Sequence, residues 1–112
     1  MNRTYIYVNH DAFCFFLRDR ELTPEELYCE YCDDSDTLIG CCDSEQELAA
    51  QLRQLFEEGI DLAACDEYLD IKDKYCPPEL RLWELGQFEI GSTEYIAYEQ
   101  RLKVAEEKYW LI

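Results

Sequence analysis

The sequence predicts an α+β fold, a small single domain of about three to four short strands packed with about four helices. Two observations lead to this prediction. Of the 112 residues, 48% are hydrophobic and 14% are aromatic, which is enough to fill one core. Helix-capping motifs alternate along the chain with short β-branched or aromatic runs. The chain contains no linker or repeat, so we expect residues 1–112 to form one compact acidic domain.

Four segments have the composition of strands. Residues 3–8 (R-T-Y-I-Y-V) and 37–42 (T-L-I-G-C-C) are rich in β-branched, aromatic or apolar residues. Residues 12–17 (A-F-C-F-F-L) form a short apolar run that periodicity cannot assign to a strand or to a buried helix. We favour a strand that forms a hairpin with residues 3–8. Residues 87–90, between two glycines, predict a fourth short strand.

The first helix is predicted over residues 24–32. Thr23 is a suitable N-cap, Pro24 suits the first helical position, and Glu26 completes a capping box with Thr23. The polar run at residues 33–36 (D-D-S-D) predicts a loop that ends this helix.

The second helix, over residues 45–58, is the best-marked element of the chain. Ser44 is the N-cap of another capping box, which Glu47 completes. Gly59 ends the helix, and Ile60 can make the apolar contact that accompanies a glycine C-cap. The apolar side chains that recur at helical spacing, and that we expect to face the core, are Leu48, Leu52, Leu55 and Phe56.

Two further helices are predicted over residues 62–75 and 93–109. Asp61 is a candidate cap for the former, and two prolines stop it. Ser92 is a candidate cap for the latter. Residues that step by three and four along its predicted inner face are Tyr95, Tyr98, Leu102, Ala105 and Tyr109.

Negative charge is concentrated in residues 21–70. The chain has a formal net charge of −16, and this segment contributes −15 of it, with sixteen acidic residues and one base, Arg53. A folded surface of one sign repels itself and weakens the compact state. The magnitude also exceeds the roughly 2–8 charges that keep a small domain soluble. We therefore expect the acidic face to bind a strongly basic protein.

The composition disfavours several other partners. No segment approaches the roughly 20 consecutive apolar residues of a membrane span. The acidic face is unsuited to direct binding of nucleic acid or anionic membrane, because affinity for phosphates comes from Lys and Arg. The first residues lack the apolar run of a signal peptide, so the expected location is the cytoplasm, with the seven cysteines as reduced thiols.

Four cysteines are candidate zinc ligands, because Cys29 and Cys32 form a C-x-x-C and Cys41 and Cys42 are adjacent. The spacing argues against a zinc site. The first pair falls in a predicted helix, and the second pair, in a strand, points to opposite faces. Acidic neighbours also raise thiol pKa values, which disfavours redox catalysis. The choice between core thiols and a zinc site stays open, and we predict no metal and no cofactor.

The sequence contains no catalytic constellation. His10 is the only histidine, and no nucleophile or orienting acid accompanies it at a recognised spacing. We expect it to be a turn residue beside a strand. The acidic run at residues 33–36 lacks the ligand pattern of a calcium-binding loop. The prediction is a binding protein and not an enzyme.

The acidic residues themselves are the predicted binding site. Carboxylates one helical turn apart lie about 5–6 Å from each other, which is of the order of the phosphate spacing along a nucleic-acid strand. Such an array can occupy the Arg/Lys groove of a nucleic-acid enzyme. The residues expected to contact the partner are Asp33, Asp34, Asp36, Glu45, Glu47, Glu57, Glu58, Asp61, Asp66, Glu67 and Asp70.

In charge, size and aromatic content, though in no particular motif, the chain is similar to nucleic-acid-mimic inhibitors carried by phages and mobile elements. These proteins block restriction or CRISPR nucleases. The resemblance implies an anti-restriction or anti-CRISPR inhibitor in the cytoplasm of a bacterial host. Two other classes stay open. One is an immunity-like, antitoxin-like or adaptor protein that binds a basic partner without mimicry, and the other is a small cysteine-rich metal-binding protein.

Overall fold

The computed structural model describes residues 3–63, 68–80 and 89–110. Within these ranges it confirms the α+β class, with a four-stranded mixed sheet, a separate two-stranded sheet and four α-helices. The strands are β1 Thr4–Val8, β2 Cys14–Arg18, β3 Tyr28–Cys29, β4 Asp34–Ser35, β5 Thr37–Cys42 and β6 Asp61–Leu62. The helices are α1 Pro24–Leu27, α2 Glu45–Glu57, α3 Tyr68–Tyr75 and α4 Thr93–Trp110.

The larger sheet has the strand order β5-β1-β2-β6. Strand β1 pairs antiparallel with β2, as the predicted hairpin requires, and antiparallel with β5 across a register shift between Ile6 and Tyr7. Strand β2 then pairs in parallel with the short β6. Ile6 and Phe15 lie fully buried in the core cluster. Tyr7 is also fully buried, and its hydroxyl accepts a hydrogen bond from the N–H of Leu22 at 2.8 Å.

Helix α2 packs on this sheet and supplies the centre of the core. The four apolar side chains predicted to face inward are all buried: Leu48, Leu52, Leu55 and Phe56. The ring of Phe56 meets that of Phe15 edge-on, with centroids 5.4 Å apart. A single amphipathic helix therefore anchors this half of the molecule.

Both ends of α2 are capped, but the predicted capping box forms only in part, because the Glu47 carboxylate accepts the N–H of Asp43 and not that of Ser44. The hydroxyl of Ser44 accepts a hydrogen bond from the N–H of Glu47 at 3.2 Å. Gly59 ends the helix with φ of +96°, a conformation that side chains disfavour. The N–H of Ile60 donates to the carbonyl of Leu55 at 3.0 Å, so Ile60 turns back into the core.

The prediction of a first helix over residues 24–32 is wrong beyond Leu27. The capping box forms, but α1 has only four residues and none of them is buried. Residues 28–29 instead form β3, which pairs antiparallel with β4, inside the stretch predicted to be a loop. The N–H of Asp36 donates to the carbonyl of Leu27 at 3.0 Å, so this carbonyl is satisfied without another helical turn. A short helix with no apolar face to bury gains little from extension.

The third helix was predicted to begin at residue 62, and this start is wrong. Asp61–Leu62 is strand β6, and the N–H of Ala63 donates to the carbonyl of Phe15 at 2.7 Å, extending the parallel pairing. Leu62 is buried in the core as a strand residue. Pairing with the edge of β2 prevails here over the local signal of Asp61. Residues 64–67 lie outside the described residues, and α3 is helical from Tyr68.

The last predicted strand and the last predicted helix have different outcomes. Residues 87 and 88 lie outside the described residues, Glu89 is irregular and Ile90 lies in a turn, so the described half of strand 87–90 is not a strand. Helix α4 confirms the prediction of 93–109. On its predicted inner face Ala105 is buried and the others are half-buried: Tyr95, Tyr98, Leu102 and Tyr109. No helix of the described ranges combines the length and apolar character that crossing a membrane demands.

Candidate functional site

Residues 28–35 form a two-stranded hairpin, here called the acidic hairpin. Its strands β3 and β4 pair through Tyr28 with Ser35 and through Cys29 with Asp34. Asp33 closes the turn with φ of +50°, a left-handed conformation that Asp tolerates better than most residues. The hydroxyl of Tyr28 donates to Asp33 Oδ1 at 2.7 Å, which ties the turn back to the first strand. The hydrogen bond also raises the pKa of Tyr28.

Three carboxylates on the acidic hairpin have no ion-pair partner among the residues that the structure describes. Glu30, Asp33 and Asp34 are exposed, and within the part of the chain that the structure describes they form no ion pair. Tyr31, between them at the turn, is 100% exposed. A fully exposed aromatic ring beside uncompensated carboxylates offers both charge and a flat apolar surface to a partner.

Three of the predicted carboxylates at the two ends of α2 have basic partners. Glu45 lies 3.1 Å from Lys74, Glu57 lies 3.0 Å from Arg53, and Glu58 lies 2.8 Å from Lys108. Burial of Glu58 opposes its ionisation, but hydrogen bonds from Lys108, Tyr109 and Gln54 outweigh it and lower its pKa. These pairs reduce the charge that α2 presents to a partner.

The remaining predicted contact residues differ in accessibility. Glu47 and Asp70 are exposed, although Glu47 also accepts a hydrogen bond from the N–H of Asp43 at 3.0 Å. Asp61 is bound to the fully buried ammonium of Lys72, with both carboxylate oxygens within 2.9 Å of Nζ. Asp36 is turned inward. Asp66 and Glu67 lie outside the described residues.

Asp36 holds His10 in the turn between β1 and β2. Its Oδ1 lies 2.6 Å from His10 Nδ1 and also accepts the N–H of His10 at 2.9 Å. Only 12% of the histidine side chain and 15% of the aspartate side chain are exposed. The hydrogen bond that His10 donates to Asp36 is the largest cause of a raised pKa of His10, and burial opposes it. Asp36 therefore positions His10 and is not free to contact a partner.

His10 brings together two cysteines of the acidic hairpin. One nitrogen of His10 and the sulfur atoms of Cys29 and Cys32 all lie within 4.8 Å of one another. His10 and Cys29 are half-buried, whereas Cys32 is exposed at the hairpin turn. This His-Cys-Cys cluster joins two turns that are about twenty residues apart in the chain. It contains ligand types that zinc prefers.

The surroundings of the two thiols shift their pKa values in opposite directions. Hydrogen bonding from the backbone and side chain of Cys32 lowers the pKa of Cys29, and the backbone of Tyr31 and the ring of His10 lower it further. The same interaction with Cys29 raises the pKa of Cys32, with burial and nearby carboxylates adding to it.

The other two candidate zinc ligands are not part of this cluster. Cys42 is buried in the core and Cys41 is exposed, in agreement with the predicted alternation along β5. Sequence reasoning placed Cys29 and Cys32 in a helix and so missed their approach to His10. The composition of residues 28–34 contained a local signal, because aromatic residues at 28 and 31 and two aspartates at 33–34 favour a strand and a turn.

Comparison of the chain with protein-family models, with curated proteins and with solved structures finds no match.

Proposed function

We propose that this chain is a protein-binding inhibitor that occupies the basic nucleic-acid-binding groove of a nuclease or another nucleic-acid enzyme. One observation carries the proposal. Glu30 and Asp33 are exposed in the turn and Asp34 in the paired strand β4, and within the described ranges no base compensates them. Their charge is therefore available to cations of a partner, and little ordering is needed on binding.

The chemistry of such a groove suits this surface. Lys and Arg that bind phosphates do so through charge and counterion release, and carboxylates attract the same cations. A concentrated negative field also steers a basic partner to the hairpin and raises the association rate. The exposed ring of Tyr31 supplies a face on which a guanidinium of the groove can stack.

The predicted acids outside the hairpin contribute unequally. Glu47 and Asp70 are exposed and have no ion pair among the described residues, so they extend the negative field. Glu45, Glu57 and Glu58 contribute less, because a base lies against each of them. The proposed contact surface is thus centred on the acidic hairpin, and the helices contribute less negative charge to it.

Affinity capture followed by competition tests this function. The immobilised protein is exposed to a bacterial lysate at low salt, eluted with a salt gradient, and each eluted protein is purified. Binding is then measured against duplex and single-stranded oligonucleotides. We expect a nucleic-acid enzyme that releases the chain steeply with salt and cannot hold an oligonucleotide and the chain together.

Two charge-matched variants then locate the contact surface. The hairpin variant is E30Q/D33N/D34N, and its control on α2 is E45Q/E57Q/E58Q, which removes the same number of carboxylates. We expect the association rate of the hairpin variant to fall roughly tenfold or more, and that of the control to fall less. The separation between the two variants should shrink at high salt, because screening weakens both fields.

Three outcomes would contradict the proposal. Binding that is insensitive to salt, or a ternary complex with the oligonucleotide still bound, rules out mimicry and favours an adaptor or antitoxin-like protein. Equal losses in the two charge variants rule out the hairpin as the centre of the contact.

A further inference from the structure

The His-Cys-Cys cluster is a separate feature from the exposed carboxylates on which the proposed function rests. It consists of three ligand atoms that no sequence motif predicted together, and it joins the turn after β1 to the turn after β3. All three atoms lie within 4.8 Å of one another. Among the described residues it is the one group of three or more His, Cys, Asp or Glu side chains placed closely enough to hold a metal ion.

We propose that Cys29, Cys32 and His10 form a Zn²⁺ site, with both thiolates and His10 Nε2 as ligands and a fourth position open to solvent. Zn–S bonds of about 2.3 Å and Zn–N bonds of about 2.0–2.1 Å in tetrahedral geometry place ligand atoms roughly 3.5–3.8 Å apart. Closing the cluster onto the ion therefore requires movements on the order of 1 Å. Cys32 is exposed at the hairpin turn, so a metal ion can reach its sulfur atom from solvent.

Asp36 prepares His10 for this role. Its Oδ1 lies 2.6 Å from Nδ1, so an ionised Asp36 accepts a hydrogen bond from Nδ1–H, and the lone pair of the neutral ring is then on Nε2. A second hydrogen bond, from the N–H of His10 to the same oxygen at 2.9 Å, fixes the orientation of the whole residue. Carboxylate–histidine contacts of this kind accompany metal-bound histidines generally, where they orient the ring and raise its basicity.

The hairpin supplies the two sulfur ligands at a suitable spacing. Cys29 ends β3 and Cys32 lies in the turn, so two intervening residues bring both side chains to one side of a tight reversal. Pairs of cysteines separated by two to four residues are common in zinc sites. The left-handed Asp33 that follows Cys32 turns the chain back into β4. The sequence-based objection to zinc, a helix over residues 24–32, does not hold in the structure.

The electrostatic setting favours a divalent cation. Asp11, Asp34 and Asp36 lie close enough to the cluster to perturb its thiols or its histidine, and all are acidic. Two thiolates offset the charge of Zn²⁺, so binding leaves the acidity of the surrounding surface intact. Thiolate and imidazole ligands select zinc over Mg²⁺ or Ca²⁺, which prefer oxygen.

Metal binding to the reduced full-length chain tests the site. The protein is prepared with a phosphine reductant, loaded with ZnCl₂ and desalted, and zinc is measured by mass spectrometry and by competition with a chromogenic chelator. We expect one tightly held zinc per chain. Co²⁺ in its place should give a thiolate-to-cobalt charge-transfer band and the d–d absorption of a tetrahedral ion.

Single substitutions identify the ligands. C29S, C32S and H10Q should each lose the tightly held zinc, whereas C41S, which removes an exposed thiol outside the cluster, should retain it. D36N keeps the shape of the positioning residue but not its charge, and should weaken zinc affinity roughly 10- to 100-fold. Far-ultraviolet circular dichroism of each variant excludes loss of fold as the cause.

Four outcomes would overturn the proposal. They are an absence of stoichiometric zinc in the reduced wild type, zinc retained in C29S and C32S, zinc lost equally in C41S, and a Cys29–Cys32 disulfide that persists under the reductant. None of these results bears on binding to a basic groove, so the metal site and the proposed function fail or succeed separately.

Discussion

The acidic hairpin and helix α2 have similar charge but are built differently. Helix α2 buries four apolar side chains in the core, and acids at its two ends lie against Lys74, Arg53 and Lys108. The hairpin buries little, and within the described ranges Glu30, Asp33 and Asp34 have no basic neighbour. The difference shows that a count of acidic residues does not measure the charge available to a partner, because folding brings distant bases onto some acids and not others.

The largest contrast should be in stability. L52A removes a fully buried side chain of α2 and should lower the free energy of unfolding by about 2–5 kcal/mol. Y31A in the hairpin removes a fully exposed ring and should change it by less than about 0.5 kcal/mol. Urea denaturation of both variants measures the contrast. A large loss in Y31A would mean that the hairpin is part of the stabilising core.

Zinc bound at the hairpin should make this region contribute to the stability of the folded protein. At free zinc about 100 times the dissociation constant, binding to the folded state alone stabilises a protein by about 2.7 kcal/mol. For a domain of this size that corresponds to a rise in melting temperature on the order of 10 °C. Thermal melts with ZnCl₂ and then with EDTA measure the gain and its reversal. C41S should show the same gain and C32S none.

Removal of the N-cap of α2 and of the N-cap of α1 should change stability by different but smaller amounts. S44A deletes the N-cap of α2 and should cost about 1 kcal/mol of global stability. T23A deletes the N-cap of α1, which buries no residue, so the loss should be confined to local opening. Denaturant titration reports the first effect, and amide hydrogen exchange at residues 24–29 reports the second. Equal shifts in the denaturation midpoint would contradict the distinction.

The smallest effect should come from removing the base that is paired with a carboxylate on α2. Arg53 lies 3.0 Å from Glu57 and 3.8 Å from Glu79, and all three side chains are exposed. R53Q should therefore cost less than about 1 kcal/mol of stability and should speed association with a basic partner. Stopped-flow or biosensor rates at low salt measure the gain. An unchanged rate would mean that α2 lies outside the field that the partner feels.

Much of the fold was predictable because its signals are local. The Ser44 N-cap, helical spacing and glycine C-cap of α2 all formed, and the strands at residues 4–8, 14–18 and 37–42 follow their aromatic or β-branched composition. The failures occurred where a local signal competed with pairing. The capping box at Thr23 was correct but said nothing about where α1 ends, and Asp61 has the chemistry of a cap yet lies in an edge strand.

The candidate site was less predictable than the fold. The acids at residues 30, 33 and 34 are visible in the sequence. That they form no ion pair within the described ranges is not visible, since Glu45, Glu57 and Glu58 look the same until their partners are known. The helix assignment over residues 24–32 also concealed the turn that brings the two sulfur atoms together. His10 had no chemical partner in its own segment, so no spacing rule linked it to Cys29.

The sequence by itself determined the class of the fold, the core face of α2 and the concentration of charge in residues 21–70. These depend on periodicity, capping and composition, which act over a few residues. Only the tertiary structure decided which acids are paired, where the chain leaves α1 for a hairpin, and that Asp36 holds His10 beside Cys29 and Cys32. Those features depend on contacts between distant segments, whose free energy exists only once the sheet and α2 have packed.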